Sequence, residues 1–406
     1  MDLTESVKAL MKKNRREING HQFTVPASDR YPFQWLWDSC FHALILANFE
    51  TAQAKKEIRS AVMHPLPSGL LPHMQYWLSD EEEAPNWGRE NRGHEINALW
   101  QAKGMSTITQ GSLLAQVIWK IYELDLDRDF VRSVYGPLRH HFIHLVAERA
   151  FGTNSLLYII NPDEAGEDNS PRYDTALGLP ATHTADQSLD ARLNLVRKNT
   201  ECDFVARGCM DSIFGIADVS FNVMYVEELI AMSRIAHLLD HPDEAEEYSN
   251  WAVAMQCDVM AQLKQGDIYL SFDHVRQQPI PVLTWNIFMP LYGGFLSDAE
   301  AETLVRKYLF NPDYFLSPYG IVTTAKTEVA YDPNDGFWRG PIWHAPHWFI
   351  YQGLKRYGFR KEAEEIKAMS LRLIEQSGFR EHYHPETGEG QGATDFTWGG
   401  LVLDMK

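Results

Sequence analysis

Several things are scarce in this sequence. Its 406 residues include four cysteines, Cys40, Cys202, Cys209 and Cys257, in no CxxC arrangement and no dense framework. That excludes a disulfide-built scaffold and predicts thiols in a reducing compartment. Positive charge is short: 37 Lys and Arg against 55 Asp and Glu leave a net charge of −18. Such a surface repels phosphate backbones and anionic headgroups, which argues against nucleic-acid and membrane partners and mildly for a neutral substrate. No apolar run approaches a membrane span, and the opening residues lack the basic-then-apolar layout of a secretion signal, so the expected location is the cytoplasm. No GxGxxG or GxxxxGK[ST] joins a strand to a helix, so no nucleotide cradle is expected, nor any other cofactor. His140 and His144 stand at a metal-compatible spacing on one helix, but HExxH is missing; a packed or solvated histidine face is expected, and no metal. No Pro/Gly/Ser-rich linker or low-complexity tract divides the chain. Residues 1–406 therefore read as one domain, with a homo-oligomer allowed.

Helical periodicity is plentiful. Residues 3–18 read as an amphipathic opening helix. Residues 39–48 are apolar nearly all round and should be buried, with the more polar 50–63 outside them. The alternation continues through 108–124 and 127–149, 218–239 and 242–264, 284–292 and 298–309, and 343–356 and 360–377, closing with an apolar segment over 396–405. About twelve segments in inner–outer pairs predict an all-α fold, an (α/α)6 barrel. Ser297 and Glu300 are spaced to close a capping box at the start of 298–309. The long connections 64–107, 151–217 and 310–342 are rich in Trp, Tyr, His, Arg and acids, and are expected to form a pocket on one face.

Aromatics and carboxylates meet in those connections. Tyr31, Phe33, Trp35 and Trp37 fall within seven residues, followed by Asp38 and Ser39. Asp38 can be a plain helix cap, yet an indole beside an acid is also what a sugar site needs. His73 follows Ser68-Gly69-Leu70-Leu71-Pro72, and Gln110 sits in what reads as a helix start, able to point into a pocket. Arg89 and Arg92 can receive an anionic part of a substrate. Gly166 permits a close backbone approach. Around it crowd Asp163, Glu164, Glu167, Asp168 and Asp174, and mutual repulsion with burial raises at least one pKa, as a general acid requires. Trp338-Arg339-Gly340-Pro341-Ile342-Trp343 sets an arginine between two indoles. Near the end, Glu381, Glu386 and Glu389 compete for the role of base, with Glu386 and Glu389 on a turn. Two carboxylates in loops beside flat apolar rings suit glycoside hydrolysis.

As an ordered set, these motifs resemble glycoside hydrolase family 63, whose members include processing α-glucosidase I and compact hydrolases of mannosylglycerate and glucosylglycerate. The resemblance rests on WxWDS at 35–39, SGxxPH at 68–73, the acid loop at 165–171, WRGPxW at 338–343 and ExYxPxTGE with FxW over 381–398. It implies an (α/α)6 barrel, inversion at the anomeric carbon, Asp168 as general acid and Glu381 as general base. It also implies Tyr31, Trp35, Trp37, Asp38, His73, Gln110, Gly166, Trp338 and Trp343 around the sugar. The family's aromatic-Glu-Ser-Gly before the acid is Asp163-Glu164-Ala165-Gly166 here. Phe337 replaces a tyrosine, and Phe396 stands where the small-acid hydrolases often carry Gln; these changes bear on substrate identity.

The expected activity is an inverting α-glycosidase acting on a small α-glucoside or α-mannoside, a glycerate glycoside among them. Arg339, like Asp38, is expected to hold hydroxyls or orient neighbours. A sugar isomerase or epimerase on a similar barrel would instead recruit His73, His344 and His382 as acid and base. A carbohydrate-binding protein would keep the aromatic walls without turnover.

Overall fold

In a computed structural model, which describes residues 2–77, 93–334 and 336–406, the segments that are apolar on every side become buried helices. Leu36–Leu46 buries all of its residues. The amphipathic segments lie outside them: Arg360–Ser377 buries Ala363, Ile366, Met369, Ser370 and Leu373, a single stripe at helical spacing. Leu36–Leu46 packs against Thr51–Val62, Leu114–Asp125 against Arg128–Arg149, Val219–Leu238 against Pro242–Asp258, and His344–Arg356 against Arg360–Ser377. The opening helix Leu3–Asn14 packs on the 3-10 segment Thr397–Asp404.

The inner segments touch in a closed circuit. Leu36–Leu46 meets Leu114–Asp125, which meets Val219–Leu238, then Met289–Gly293, His344–Arg356 and Thr397–Asp404, which returns to Leu36–Leu46. The protein is mostly helical, and one apolar cluster runs from Val7 to Met405. Sheets among the described residues have two or three strands. The Ser297 capping box forms, with Ser297 N–H donating to Glu300 Oε2 at 2.7 Å.

Three expectations are corrected. The opening helix stops at Asn14, and Arg15–Ile18 pairs antiparallel with His21–Thr24. The cause is Asn19-Gly20, whose φ values of +52° and +80° make a tight hairpin turn. The stretch 151–217 is not an irregular connection: it holds the helices Ala185–Glu201 and Ala206–Ser212. The first buries little apolar surface, so its stripe is faint, but Thr184 and Gln187 close a capping box at its start. Cys202 and Cys209 are not thiols; they form a disulfide with Cα atoms 5.6 Å apart. Cys40 is a buried thiol and Cys257 an exposed one.

Arg89 and Arg92 lie outside the described residues. Among the described residues no helix is long and apolar enough to cross a membrane, and no group of three or more His, Cys, Asp or Glu is arranged to hold a metal ion. His140 and His144 bring their Nε2 atoms within 2.9 Å of each other.

The cysteine pairing is checked by thiol titration. Protein denatured without reductant should expose two reactive thiols, Cys40 and Cys257, and four after reduction. Four before reduction would place Cys202 and Cys209 back among the thiols.

Candidate active site

The three connections and the starts of the inner helices surround a cavity of about 570 Å³. Its lining includes Tyr31, Trp35, Trp37, Asp38, His73, Gln110, Gly166, Asp168, Trp338, Trp343 and Glu381. Arg339 does not line it.

The acidic loop shows which of its carboxylates is left for the cavity. Glu164 is fully buried and takes both Nη atoms of Arg149, at 2.5 and 3.0 Å. Glu167 takes both Nη atoms of Arg172 at 2.8 Å, while Arg172 Nε donates to Asp218 at 2.9 Å. Asp174 takes Arg339 at 2.9 and 2.8 Å. That bond explains why Arg339 is buried behind the wall: a buried guanidinium needs a carboxylate beside it. Asp163 and Asp168 remain, and they share Arg192, with Nη2 2.8 Å from Asp163 Oδ1 and Nη1 2.6 Å from Asp168 Oδ2. Burial pushes the Asp168 carboxyl up, Arg192 opposes the rise, and the charge of Asp163 adds to it.

Gly166 turns this loop with φ of +75°, and a Cβ there would collide with the Trp37 indole. Asn169 ties the loop to the next wall: its Oδ1 accepts the Trp338 N–H at 3.0 Å and its Nδ2 donates to Gly336 O at 3.3 Å.

Glu381 comes from the strand Arg380–Tyr383, paired with Gly390–Thr394 through a register shift between Arg380 and His382. A regular strand would send neighbours to opposite faces; the irregularity lets both Glu381 and His382 line the cavity. Tyr31 OH donates to Glu381 Oε1 at 2.6 Å and Ala393 N–H donates to Oε2 at 2.7 Å. Arg30 Nη1 lies 3.8 Å from Oε2. Burial raises the Glu381 pKa, opposed by Arg30 and by the two hydrogen bonds, with the charge of Asp168 adding to the rise. Gly392 has φ of +64°, and a Cβ there would strike the Glu381 carboxylate. Glu386 and Glu389 are exposed on the hairpin turn, away from the cavity.

The walls are aromatic. Trp338 and Trp343 stack with centroids 4.1 Å apart and planes 7° apart, and Trp37 meets Trp398 edge-on at 5.0 Å. Asp38 is not a helix cap. It accepts the Trp398 indole N–H at 2.8 Å, and burial pushes its carboxyl up to about 6. Gln110 Oε1 accepts the Trp37 N–H at 3.1 Å, which leaves its amide nitrogen for a ligand. His73 is buried with an unpartnered Nδ1, and burial lowers its pKa to about 4. Burial takes His382 and His344 down to about 3; His344 bonds Tyr383 at 3.2 Å and does not line the cavity.

A family model for the mannosylglycerate hydrolase MGH1-like glycoside hydrolase domain matches residues 31–399. The chain belongs to this glycoside hydrolase family. A mannosylglycerate hydrolase from Thermus thermophilus is 31% identical over 93% of this chain and 94% of its own length. One from Rubrobacter radiotolerans is 26% identical over 95% and 93%. The crystal structure of a GH63 mannosylglycerate hydrolase from a second strain of Thermus thermophilus, in complex with Tris and D-glycerate, superposes with a TM-score of 0.86 at 29% identity, covering 99% of both chains.

Sequence reasoning missed Arg192, Arg30 and Trp398 as cavity residues, and weighed His382, which also lines the cavity, only for an isomerase. Arg192 sits on Ala185–Glu201, a helix inside a stretch expected to be a connection; the Thr184–Gln187 capping spacing was the signal that could have found it. Arg30 adjoins Tyr31, and His382 adjoins Glu381, within segments already singled out.

Two substitutions test the geometry. Gly166→Ala should displace the acid loop from Trp37 and lower kcat/KM by ~100-fold, the effect of a misplaced reacting group, with a measurable loss of thermal stability. Arg30→Gln removes the cation that opposes the rise of Glu381. The acid limb of the kcat/KM–pH profile should therefore move to higher pH, since kcat/KM reports the free enzyme.

Proposed function

We propose that this glycoside hydrolase cleaves an α-linked mannoside or glucoside of a small hydroxy acid, a glycerate glycoside foremost, with inversion. The carrying observation is that Asp168 and Glu381 line one aromatic-walled cavity with separate partners: Arg192 on Asp168, and Tyr31 and the Ala393 N–H on Glu381. In this reading Asp168 protonates the glycosidic oxygen while Glu381 takes a proton from a water that attacks the opposite face of the anomeric carbon. Burial favours the protonated acid at Asp168. The donors on Glu381 favour the ionised base. The cavity volume falls in the ~300–1,000 Å³ range of small-ligand sites.

The remaining site residues take roles by position. Trp35, Trp37, Trp338 and Trp343 wall the sugar, and Asp38, His73 and Gln110 meet its hydroxyls. Gly166 keeps the wall and the acid loop in contact, and Arg339 acts behind them through Asp174. Among the described residues, Arg192 and Arg30 are the cations that line the cavity, and Arg192 is the one placed beside the acid, where the leaving group must lie. The solved relative bound to D-glycerate supports a carboxylate-bearing aglycone.

The closed circuit of inner segments supports an (α/α)6 barrel, and the continuous core supports one domain over residues 1–406. The charge of −18 supports a small-carbohydrate partner over nucleic acid or an anionic membrane. The proposed compartment is the cytoplasm; the Cys202–Cys209 bond is the observation against it, because reducing compartments keep such pairs as thiols. An isomerase reading fits less well, since His73 and His382 are held neutral and His344 lies outside the cavity.

Proton NMR of the first product from α-mannosyl- and α-glucosyl-D-glycerate is the test. The β-anomer of the free sugar should appear first; an α-anomer would reject inversion. Asp168→Asn should remove turnover by ~1,000-fold or more while sparing sugar affinity. Near-normal turnover in that variant would point to another acid.

A further inference from the structure

A general acid must hold a proton before the bond breaks, yet Asp168 is found on a guanidinium. Arg192 Nη1 lies 2.6 Å from Asp168 Oδ2, and the same side chain reaches Asp163 through Nη2 at 2.8 Å. A cation at that distance favours the ionised carboxylate, the wrong form for the first step. Other groups press the opposite way. Asp168 faces Asp163 on its own loop, Tyr31 from the segment before the first inner helix, and Glu381 from the hairpin, with Arg30 beside Tyr31 and Glu381 and His73 neutral beside Asp163 and Arg192. Of these, Asp163 and Glu381 disfavour charge on Asp168. Burial presses the same way as these charges, and Arg192 is the group that opposes them at a contact of 2.6 Å. The Nε of Arg192 is buried without a hydrogen-bond partner, so its donor set is incompletely used.

Resting on the glycerate-glycoside reading above, we propose that Arg192 is a counter-ion the substrate removes: the carboxylate of an anionic aglycone takes Arg192 from Asp168, and Asp168 then picks up from solvent the proton it donates. The steps balance. A solvent proton adds to Asp168. The C1–O bond of the glycoside breaks as that proton passes to the leaving oxygen. A C1–O bond to water forms as Glu381 takes the water's proton, and Glu381 later returns it to solvent. When the anionic product leaves, Arg192 pairs again with Asp168. The net reaction is glycoside plus water to sugar plus hydroxy acid. Charge on the aglycone is then selected in the chemical step as well as in binding. A neutral aglycone of the same size is held but leaves the acid ionised.

The test compares α-mannosyl-D-glycerate with α-mannosylglycerol, and their glucosyl counterparts, on the wild-type enzyme and on Arg192→Gln. In the wild type, kcat for the neutral aglycone should be at least ~10-fold lower, with its alkaline limb at lower pH. In Arg192→Gln, KM for the glycerate glycoside should rise ~10-fold or more. Its kcat on the neutral glycoside should exceed the wild-type value, and the alkaline limbs for the two aglycones should coincide. Arg192→Lys keeps the charge and should retain the difference between aglycones. Equal wild-type kcat values with the same alkaline limb for both aglycones would overturn the counter-ion role while leaving glycerate-glycoside hydrolysis standing. So would an Arg192→Gln variant that loses kcat equally on both. Absence of hydrolysis of every glycerate glycoside would overturn both readings. Should Arg192→Gln fail to fold, the two-aglycone comparison on the wild type decides alone.

Discussion

The site depends on buried arginine–carboxylate pairs that sort one acidic loop. Within residues 163–174 stand five carboxylates, and unscreened they would repel one another. Arg149 claims Glu164, Arg172 claims Glu167 and Arg339 claims Asp174, each through paired nitrogen–oxygen contacts. Such pairs are weak evidence of stability, because desolvation offsets most of the attraction, but breaking one costs about 3–5 kcal/mol. Their effect is to fix register. The loop cannot shift by one residue without leaving a charge buried and unmatched. What is left facing the cavity is Asp168, with Asp163 as its neighbour and Arg192 as their shared cation.

The circuit of inner helices explains why the chemical motifs sit where they do in the chain. Trp37, Gln110, Trp343 and Trp398 each lie at or just before the start of an inner segment. Helices arranged side by side bring those starts to one end, where the 64–107, 151–217 and 310–342 stretches complete the walls. Aromatic side chains there pack on one another as well as offering faces to a ligand: Trp338 on Trp343, and Trp37 against Trp398. Rigid rings lose little entropy when ordered, so the wall is in place before anything binds.

Much of this was legible in the sequence, for identifiable reasons. Long apolar or amphipathic periods announced the paired helices because burial on one stripe is what stabilises them. The motif residues were conspicuous because Trp, Gly and Arg together are poorly explained by packing alone. The losses have equally local causes. The helix Ala185–Glu201 is stabilised through Leu193, Leu195, Val196 and polar contacts, too few apolar residues to mark a period, and Arg192 was lost with it. The strand after Asn14 was masked by a run of long polar side chains compatible with either state, although Asn19-Gly20 is a strong hairpin signal. Composition and spacing alone did not single out one of five carboxylates, since that is decided by arginines up to 165 residues away; the family resemblance is what pointed to Asp168. The Cys202–Cys209 bond, seven residues apart and across a helix end, has no spacing signature of its own.

The meeting of Leu3–Asn14 with Thr397–Asp404 has a consequence for biosynthesis. Asn14 donates to the Asp395 carbonyl at 2.8 Å across 381 residues of chain. Leu3–Asn14 must therefore wait, with Val7, Leu10 and Met11 uncovered, until Thr397–Asp404 has left the ribosome. Intermediate helix pairs can form as they emerge, but an incomplete circuit leaves apolar flanks open throughout translation. Assembly of the sugar cavity, which takes Trp37 from one end of the chain and Glu381 and Trp398 from the other, is thereby a late, all-at-once event rather than a gradual one.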